Sequence, residues 1–153
     1  MAITKFRGRF EYSIDPKGRI NIPASFREQL ASSGSEKVFL THFDGCLYGF
    51  PLEEWNRMED SVSAVSSVDG PVNSFLRSFF GSAVEVEPDR QGRIVVPPSL
   101  RGDAALEKDV VILGMLRRFE IWSLERWQAT QQDFDRVRQV DPELMKRIRE
   151  LGI

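Results

Sequence analysis

The sequence is poor in the side chains that most enzymes and metal proteins rely on. It contains one cysteine, Cys46, and one histidine, His42, among 153 residues. A single cysteine excludes an internal disulfide and a paired-cysteine metal site. A single histidine cannot form a multi-histidine metal site and lacks the partners that catalysis usually requires. We therefore expect no enzymatic activity, no metal and no cofactor, with Cys46 buried and His42 structural or on the surface.

Long apolar runs and glycine-rich phosphate loops are also missing. No segment approaches the roughly 20 apolar residues that a membrane-spanning helix needs, and residues 1–9 lack the apolar core of a signal peptide. The nearest approach to a phosphate loop, residues 90–93, does not have the Walker spacing. These absences predict a cytoplasmic protein that makes no contact with membranes.

The net charge is small, but positive and negative residues are distributed unevenly along the chain. The net charge is −2, yet residues 1–30 carry six Lys/Arg against three Asp/Glu. From residue 31 to 89 the count is three against ten, and from 90 to 153 it is twelve against ten. A basic first segment is followed by an acidic one, so the near-neutral total is compatible with a local positive face.

A motif of thirteen residues is present twice. Residues 15–27 return as residues 89–101, a shift of 74 positions (89 − 15), with seven of the thirteen identical. The shared pattern is Asp-x-x-Gly-Arg-Ile-x-[Ile/Val]-Pro-x-Ser-x-Arg, which we name copy 1 and copy 2. Such a repeat predicts two copies of one small unit. Because each half alone would bury little surface, we expect the halves to pack on each other or on another chain.

The residues around copy 1 predict a hairpin. Apolar and polar residues alternate from 6 to 14, as in a strand with one polar face. Asp, Pro and Gly in residues 15–18 suit a turn, and residues 20–22 suit a short return strand. Lys17 and Arg19 would then lie at or beside the hairpin tip.

The remaining patterns complete a β-β-α-β-β unit and repeat it. Pro23 opens a short helix, and two apolar runs separated by Asp44 and Gly45 predict a second hairpin. Four further helices are predicted. The first begins at residue 51, the second covers residues 72–81, the third ends near residue 139, and the fourth follows Asp141. Matching signals after residue 83 predict the second unit. The three tryptophans are expected to supply core area: Trp55, Trp122 and Trp127.

Basic residues of copy 1 are the best candidates for function. A two-stranded ribbon fits the DNA major groove, where Arg donates two hydrogen bonds to guanine and Lys meets guanine or phosphate. Lys17 and Arg19 have this chemistry, while Arg7 and Arg9 on the adjoining strand could fix the ribbon on phosphates. The alternative, that these are solvated surface charges, stays open. Asp15 and Asp89, each four residues before an Arg, are better explained as turn caps or members of a local ion pair than as a catalytic pair.

Together, several short motifs resemble the MraZ family of bacterial transcriptional regulators, whose domains are of the SpoVT-AbrB type. They are Phe6-Arg-Gly8, Asp15-x-x-Gly-Arg19, Phe80-Gly-Ser-Ala-Val-Glu85 and Asp89-x-x-Gly-Arg93. The resemblance implies an α+β fold in which two tandem β-β-α-β-β swapped-hairpin units form a pseudo-symmetric intrachain barrel with flanking helices. The implied domains are residues 7–54 and 83–126, with a helical connector at 55–82 and C-terminal helices at 127–153.

The resemblance also implies a sequence-specific regulator bound to double-stranded DNA in the nucleoid. It implies repression of a division and cell-wall gene cluster that includes the regulator's own gene, through ring-like homo-oligomers on short G-rich direct repeats. The DNA contacts carried over are Lys17, Arg19 and Arg93. Copy 2 has Gln91 in place of Lys17 and gains Arg90, so we expect the two loops to contribute unequally, with the first dominant. The alternative is an antitoxin-like module that uses the same fold to bind a partner protein.

Overall fold

Two β-β-α-β-β units follow one another along the chain, with helices after each. The computed structural model describes residues 4–65 and 69–153. The strands in this part are β1 (Arg9–Ser13), β2 (Arg19–Asn21), β3 (Val38–Phe43), β4 (Cys46–Pro51), β5 (Val84–Val86), β6 (Arg93–Val95), β7 (Asp109–Met115) and β8 (Arg118–Ser123). The helices are α1 (Ala24–Ser32), α2 (Leu52–Ser63), α3 (Gly70–Gly81), α4 (Pro98–Asp103), α5 (Leu124–Val140) and α6 (Pro142–Arg149). The predicted α+β class and the order of elements are confirmed.

Most strands belong to one antiparallel sheet of six strands in the order β1-β7-β8-β4-β3-β5. Its β3–β4 hairpin turns at Asp44 and Gly45, which have φ values of 58° and 86°. A tight hairpin needs this left-handed backbone, and Asp-Gly is one of the pairs that adopt it most readily. The predicted second hairpin is therefore confirmed.

The predicted first hairpin is wrong in its pairing. Although the turn after β1 closes through a bond from the Asp15 amide to the Arg19 carbonyl, β1 and β2 then separate. The Ile14 amide donates to the carbonyl of Lys108, and β1 pairs along its length with β7. Strand β2 instead pairs with β6. Local alternation predicts a strand but says nothing about its partner, and here both partners come from the other repeat.

Strands β2 and β6 form a separate two-stranded ribbon with a symmetric register. Ile20 lies opposite Ile94, and these residues are equivalent under the shift of 74. On either side, Arg19 lies opposite Val95 and Asn21 opposite Arg93, two pairs that the same shift interchanges. The ribbon is therefore centred on a pseudo-twofold axis that relates copy 1 to copy 2.

One hydrophobic core serves both repeats. Ile20 and Ile94 are buried in it from the inner face of the ribbon, together with Phe26 of α1 and Leu100 of α4. Burial of large side chains from both copies in one cluster is the main stabilising contribution. The expected packing of one half on the other is thus observed.

A second cluster lies where α2 and α3 pack on β3 and β4. It contains Phe50, Trp55 and Phe79. The predicted core role is confirmed for Trp55 and Trp122, which are buried. It is wrong for Trp127, which is only partly buried on α5, a helix without buried residues.

The chain divides into two compact units, Met1–Ser123 and Leu124–Ile153. The first contains both repeats and the predicted 55–82 connector as α2 and α3, although residues 66–68 of that connector lie outside the described residues. The second consists of α5 and α6, both predicted, and Asp141 caps α6 by accepting a 3.0 Å bond from the Glu143 amide. In residues 4–65 and 69–153, no helix combines the length and apolar composition needed to cross a membrane.

Candidate nucleic-acid interface

The first Asp-x-x-Gly-Arg segment, residues 15–19, forms a tightly bonded turn that we name turn 1. The Asp15 carboxylate accepts backbone bonds from Lys17 at 3.0 Å and Arg19 at 2.8 Å, and a side-chain bond from Arg19 Nε at 2.5 Å. The Gly18 amide donates to the Asp15 carbonyl at 2.9 Å, and Gly18 has a φ of 83°. Asp15 thus ties the backbone of the turn and the guanidinium of Arg19 into one assembly.

Residues 89–93, named turn 2, have the same bonds. The Asp89 carboxylate accepts from the amides of Gln91 at 2.9 Å and Arg93 at 3.0 Å, and from Arg93 Nε at 3.2 Å. The Gly92 amide donates to the Asp89 carbonyl at 2.9 Å, with a Gly92 φ of 77°. The interpretation of Asp15 and Asp89 as turn caps is consistent with these contacts.

Both arginines keep donors for an external acceptor. Each guanidinium uses Nε for its own aspartate, and in the described part of the chain no acceptor bonds the terminal nitrogens of Arg19 or Arg93. About a third of each side chain is exposed, 35% for Arg19 and 29% for Arg93. An arginine with both terminal nitrogens available can make a two-pronged contact with guanine or phosphate.

The ribbon places the two arginines on one outer surface. Residues opposite each other, or two apart, share a face of an antiparallel pair, so Arg19, Asn21, Arg93 and Val95 share the face opposite the buried isoleucines. As diagonal neighbours, Arg19 and Arg93 have Cα atoms about 7–8 Å apart. Asn21 is exposed and Val95 is 52% exposed. Sequence reasoning did not select these two residues, because their neighbours on the ribbon come from the other copy.

The other predicted contact residues divide into two groups. Lys17 and Arg90 are exposed in turn 1 and turn 2, beside the arginines that the aspartates hold. Arg7 and Arg9 are also exposed, but Arg9 begins β1, six residues before Asp15. Six extended residues span about 20 Å. Arg7 and Arg9 therefore lie toward the end of β1 that is remote from turn 1.

Sequence reasoning also missed the last arginine of each copy. Arg101 Nη1 donates to the Pro16 carbonyl in turn 1 at 3.3 Å, across 85 residues of sequence. Arg27 lies against Gly92 in turn 2, where an added Cβ would be 2.7 Å from its Cζ. The repeated motif could have indicated them, since Arg27 and Arg101 occupy the same position of the two copies and are identical.

The predicted acid response of the turns follows from their aspartates. Backbone donation from Arg19 lowers the pKa of the Asp15 carboxyl, and backbone donation from Arg93 lowers the pKa of Asp89. Each ionised carboxylate therefore stabilises the fold above the unfolded pKa of about 3.9, and the contribution is lost as pH falls through the lower folded pKa.

We expect the free energy of unfolding in urea to fall as the pH drops from about 5 through the lowered pKa values of Asp15 and Asp89, partly through these groups. A chain with both Asp15→Asn and Asp89→Asn, which retains an acceptor oxygen in each turn, should show a shallower fall over this range. An equally steep fall in this double variant would contradict the role of the carboxylates.

The surroundings of His42 do not form a catalytic relay. Ser78 Oγ lies 3.1 Å and Asp103 Oδ2 3.8 Å from the same ring nitrogen, Nε2. A serine triad needs the two partners on opposite ring nitrogens. Cys46 is buried, and burial raises the pKa of its thiol, which disfavours the nucleophilic thiolate. The described residues contain no cluster of three or more His, Cys, Asp or Glu side chains suited to a metal ion.

The family is decided by comparison with known sequences. A family model described as "MraZ protein, putative antitoxin-like" matches residues 5–78 and 79–147. This chain belongs to the MraZ family. The resemblance predicted from the repeated motifs is confirmed, and the family match divides the chain into two tandem domains.

Individual members agree over most of their length. The "Transcriptional regulator MraZ" of Heliobacterium modesticaldum is 49% identical over 122 residues, 80% of this chain and 83% of that protein. The protein of the same name from Desulfosudis oleivorans is 38% identical over 148 residues, 97% of this chain and 99% of its own. MraZ is a family of transcriptional regulators, so transcriptional regulation is the function class of this chain, and the prediction that it is not an enzyme is confirmed.

Proposed function

We propose that this MraZ chain is a sequence-specific regulator that binds double-stranded DNA through turn 1, turn 2 and the outer face of the ribbon. One observation carries the proposal: two equivalent turns each hold an arginine by its own aspartate, and the ribbon places both arginines on one exposed face. Regulatory function itself follows from the family. The geometry supports DNA as the ligand because nothing in residues 4–65 and 69–153 bonds the terminal nitrogens of these arginines.

The proposed readout uses the major groove. A two-stranded ribbon fits this groove, and an arginine there donates to O6 and N7 of guanine. The ion pair with Asp15 restricts the rotation of the Arg19 side chain before DNA arrives, which lowers the entropy lost on binding. Lys17 and Arg90 would add phosphate contacts or further guanine contacts at the two tips. Turn 2 has Gln91 at the position equivalent to Lys17, so we propose that turn 1 contributes more to DNA binding than turn 2.

Affinity is proposed to come from several linked chains. One ribbon offers few base contacts, whereas a homo-oligomer on repeated sites raises the effective concentration of each later contact. We propose a ring-like oligomer on short G-rich direct repeats, acting as a repressor of a division and cell-wall gene cluster that includes its own gene. The proposed location is the cytoplasm, on the nucleoid. For the structure of the two repeats, we propose a closed barrel of swapped hairpins.

The direct experiment measures binding of the purified full chain to the DNA upstream of its own gene. Fluorescence anisotropy should give tighter binding to this DNA than to a shuffled duplex of the same composition. The logarithm of the binding constant should fall linearly with the logarithm of salt concentration, because phosphate contacts release counterions. Equal affinity for both duplexes at all salt concentrations would contradict sequence-specific recognition.

Arg7 and Arg9 are proposed to act on phosphates and not on bases. Arg7→Gln and Arg9→Gln should weaken binding to upstream and shuffled DNA by the same factor, and each should reduce the salt slope by about one. Arg57→Gln is the matched control, since Arg57 is an exposed arginine paired with Glu54 on α2. A change in the upstream-to-shuffled affinity ratio would show that Arg7 or Arg9 reads sequence.

A second candidate is an antitoxin-like module that binds a partner protein. The description of the matching family model favours it, because that description includes the term antitoxin-like. The candidate predicts a neighbouring toxin-sized reading frame whose product inhibits growth and is neutralised by this chain. Neutralisation should be retained in Arg19→Ala, whereas regulation through turn 1 should be lost in that variant.

A further inference from the structure

We infer that Arg27 and Arg101 are positioning residues, each of which holds the DNA-reading turn of the other repeat copy. Both are the last residue of the repeated motif, and the proposed DNA contacts do not use either one. The contacts between each arginine and the opposite turn are observed in the free chain. The consequence for DNA binding rests on the proposed function.

Arg101 supports turn 1 from α4. Its Nη1 donates to the Pro16 carbonyl at 3.3 Å. A Cβ added to Gly18 would lie 3.1 Å from Arg101 Nε and 3.2 Å from its Cζ, so the guanidinium lies directly against the Gly18 backbone. This contact involves the middle of the turn that carries Lys17 and Arg19.

Arg27 packs on turn 2 from α1 through the equivalent glycine contact. A Cβ added to Gly92 would lie 2.7 Å from Arg27 Cζ, 2.8 Å from Nε and 3.0 Å from Nη1. The shift of 74 that converts Arg27 into Arg101 also converts Gly18 into Gly92. The pair of contacts therefore obeys the same pseudo-twofold symmetry as the ribbon.

The character of these contacts indicates packing as the main interaction. In the described residues, Nε of Arg27 and Nε of Arg101 are both buried and have no hydrogen-bond partner. Burying a donor in this way is unfavourable unless the surrounding contact compensates for it. A planar guanidinium can lie flat against the peptide groups of a turn, which the compact ammonium of lysine cannot do. We therefore attribute both contacts to the planar fork of arginine.

Because each arginine contacts the turn of the other copy, loss of Arg101 and loss of Arg27 should affect DNA binding unequally. Turn 1, which carries both Lys17 and Arg19, depends on an arginine of copy 2, and turn 2 depends on an arginine of copy 1. Arg101 also bonds the Pro16 carbonyl, whereas Arg27 makes no matching bond to Arg90 in the described part of the chain. Loss of Arg101 should therefore impair DNA binding more than loss of Arg27, although Arg101 belongs to the weaker copy.

The test compares Arg101→Ala, Arg101→Lys and Arg27→Ala in the full chain, first without DNA. Amide chemical shifts and hydrogen exchange should change at Gly18 and Arg19 in Arg101→Ala, with Gly92 unaffected. The reverse pattern should occur in Arg27→Ala. Arg101→Lys should resemble Arg101→Ala, because it retains the charge but not the flat fork. Urea unfolding identifies which variants stay folded. If Arg101→Ala does not fold, Arg101→Lys takes its place in the comparison.

DNA binding is then measured with the upstream duplex. Arg101→Ala should lose about five-fold or more in affinity, the lower end of what one arginine–guanine pair contributes, and Arg27→Ala should lose less. Two results would overturn the inference in favour of direct phosphate contact. One is a variant that binds DNA weakly while the chemical shift and exchange rate of the Gly18 amide stay unchanged. The other is wild-type DNA affinity in Arg101→Lys. Altered Gly18 amides with unchanged affinity would support the positioning role and contradict the proposed function of turn 1.

Discussion

Arg19→Ala is expected to lower the affinity for the upstream DNA by roughly 5- to 150-fold per bound turn. This range corresponds to the 1–3 kcal/mol that one two-pronged arginine–base contact contributes. In the described residues, the terminal nitrogens of Arg19 have no acceptor while its Nε is held by Asp15 at 2.5 Å. Because linked chains multiply such losses, the effect on an oligomer bound to several repeats should exceed that on a single site.

Two matched variants make this result specific. Arg93→Ala removes the equivalent side chain of turn 2 and should cost less, because turn 2 has Gln91 where turn 1 has Lys17. Arg57→Ala removes the same charge from an exposed arginine on α2 and should leave affinity unchanged. Anisotropy titrations at constant salt compare all three. An equal loss in Arg19→Ala and Arg57→Ala would show that only net charge matters.

Gly18→Ala is expected to destabilise the chain by roughly 2–5 kcal/mol and to abolish specific binding. Two costs add at this position. Gly18 has a φ of 83°, a conformation that side chains with a Cβ rarely adopt. The new methyl group would also lie 2.5 Å from the Val96 carbonyl oxygen, which is backbone and cannot rotate away. Relief of this clash would disrupt the bond from the Val96 amide to the Gly18 carbonyl that continues the ribbon.

Other glycines separate the two costs. Gly34 has a similar φ of 95°, but no atom lies within 4 Å of an added Cβ. Gly34→Ala should therefore lower the free energy of unfolding only through backbone strain, by about 1–2 kcal/mol. Gly92→Ala meets the side chain of Arg27, which can move, and should fall between the other two. Urea unfolding should rank the losses as Gly18, then Gly92, then Gly34. A loss in Gly34→Ala as large as that in Gly18→Ala would contradict the clash with Val96.

Features defined by adjacent residues could be predicted from the sequence. Asp44 and Gly45 specify the β3–β4 hairpin, Pro23 precedes α1, and Asp141 caps α6. In each case the conformation depends on side chains a few positions away. The pairing of β1 with β7 and of β2 with β6 could not be predicted in this way, because it joins residues 72 (93 − 21) to 104 (113 − 9) positions apart. Nothing in the alternation around Ile14 or Ile20 distinguishes a local partner from a distant one.

The candidate site shows the same division. Turn chemistry correctly predicted that Asp15 and Asp89 would act as caps, and the identity of the two copies selected Arg19 and Arg93. It could not show that these arginines share a face, since that depends on the β2–β6 register. The contacts of Arg27 and Arg101 with the opposite turns depend on the same crossing. Their roles in DNA binding remain predictions until they are measured.

The most direct test of the account is methylation protection of the upstream DNA. Dimethyl sulfate methylates guanine N7 in the major groove, which is the atom that Arg19 is proposed to contact. The bound wild-type chain should protect guanines within the G-rich repeats. Arg19→Ala, at a concentration that gives equal occupancy, should leave the guanines contacted by turn 1 reactive. Reactive guanines under the wild-type chain, or equal protection by both chains, would contradict the reading of DNA by turn 1.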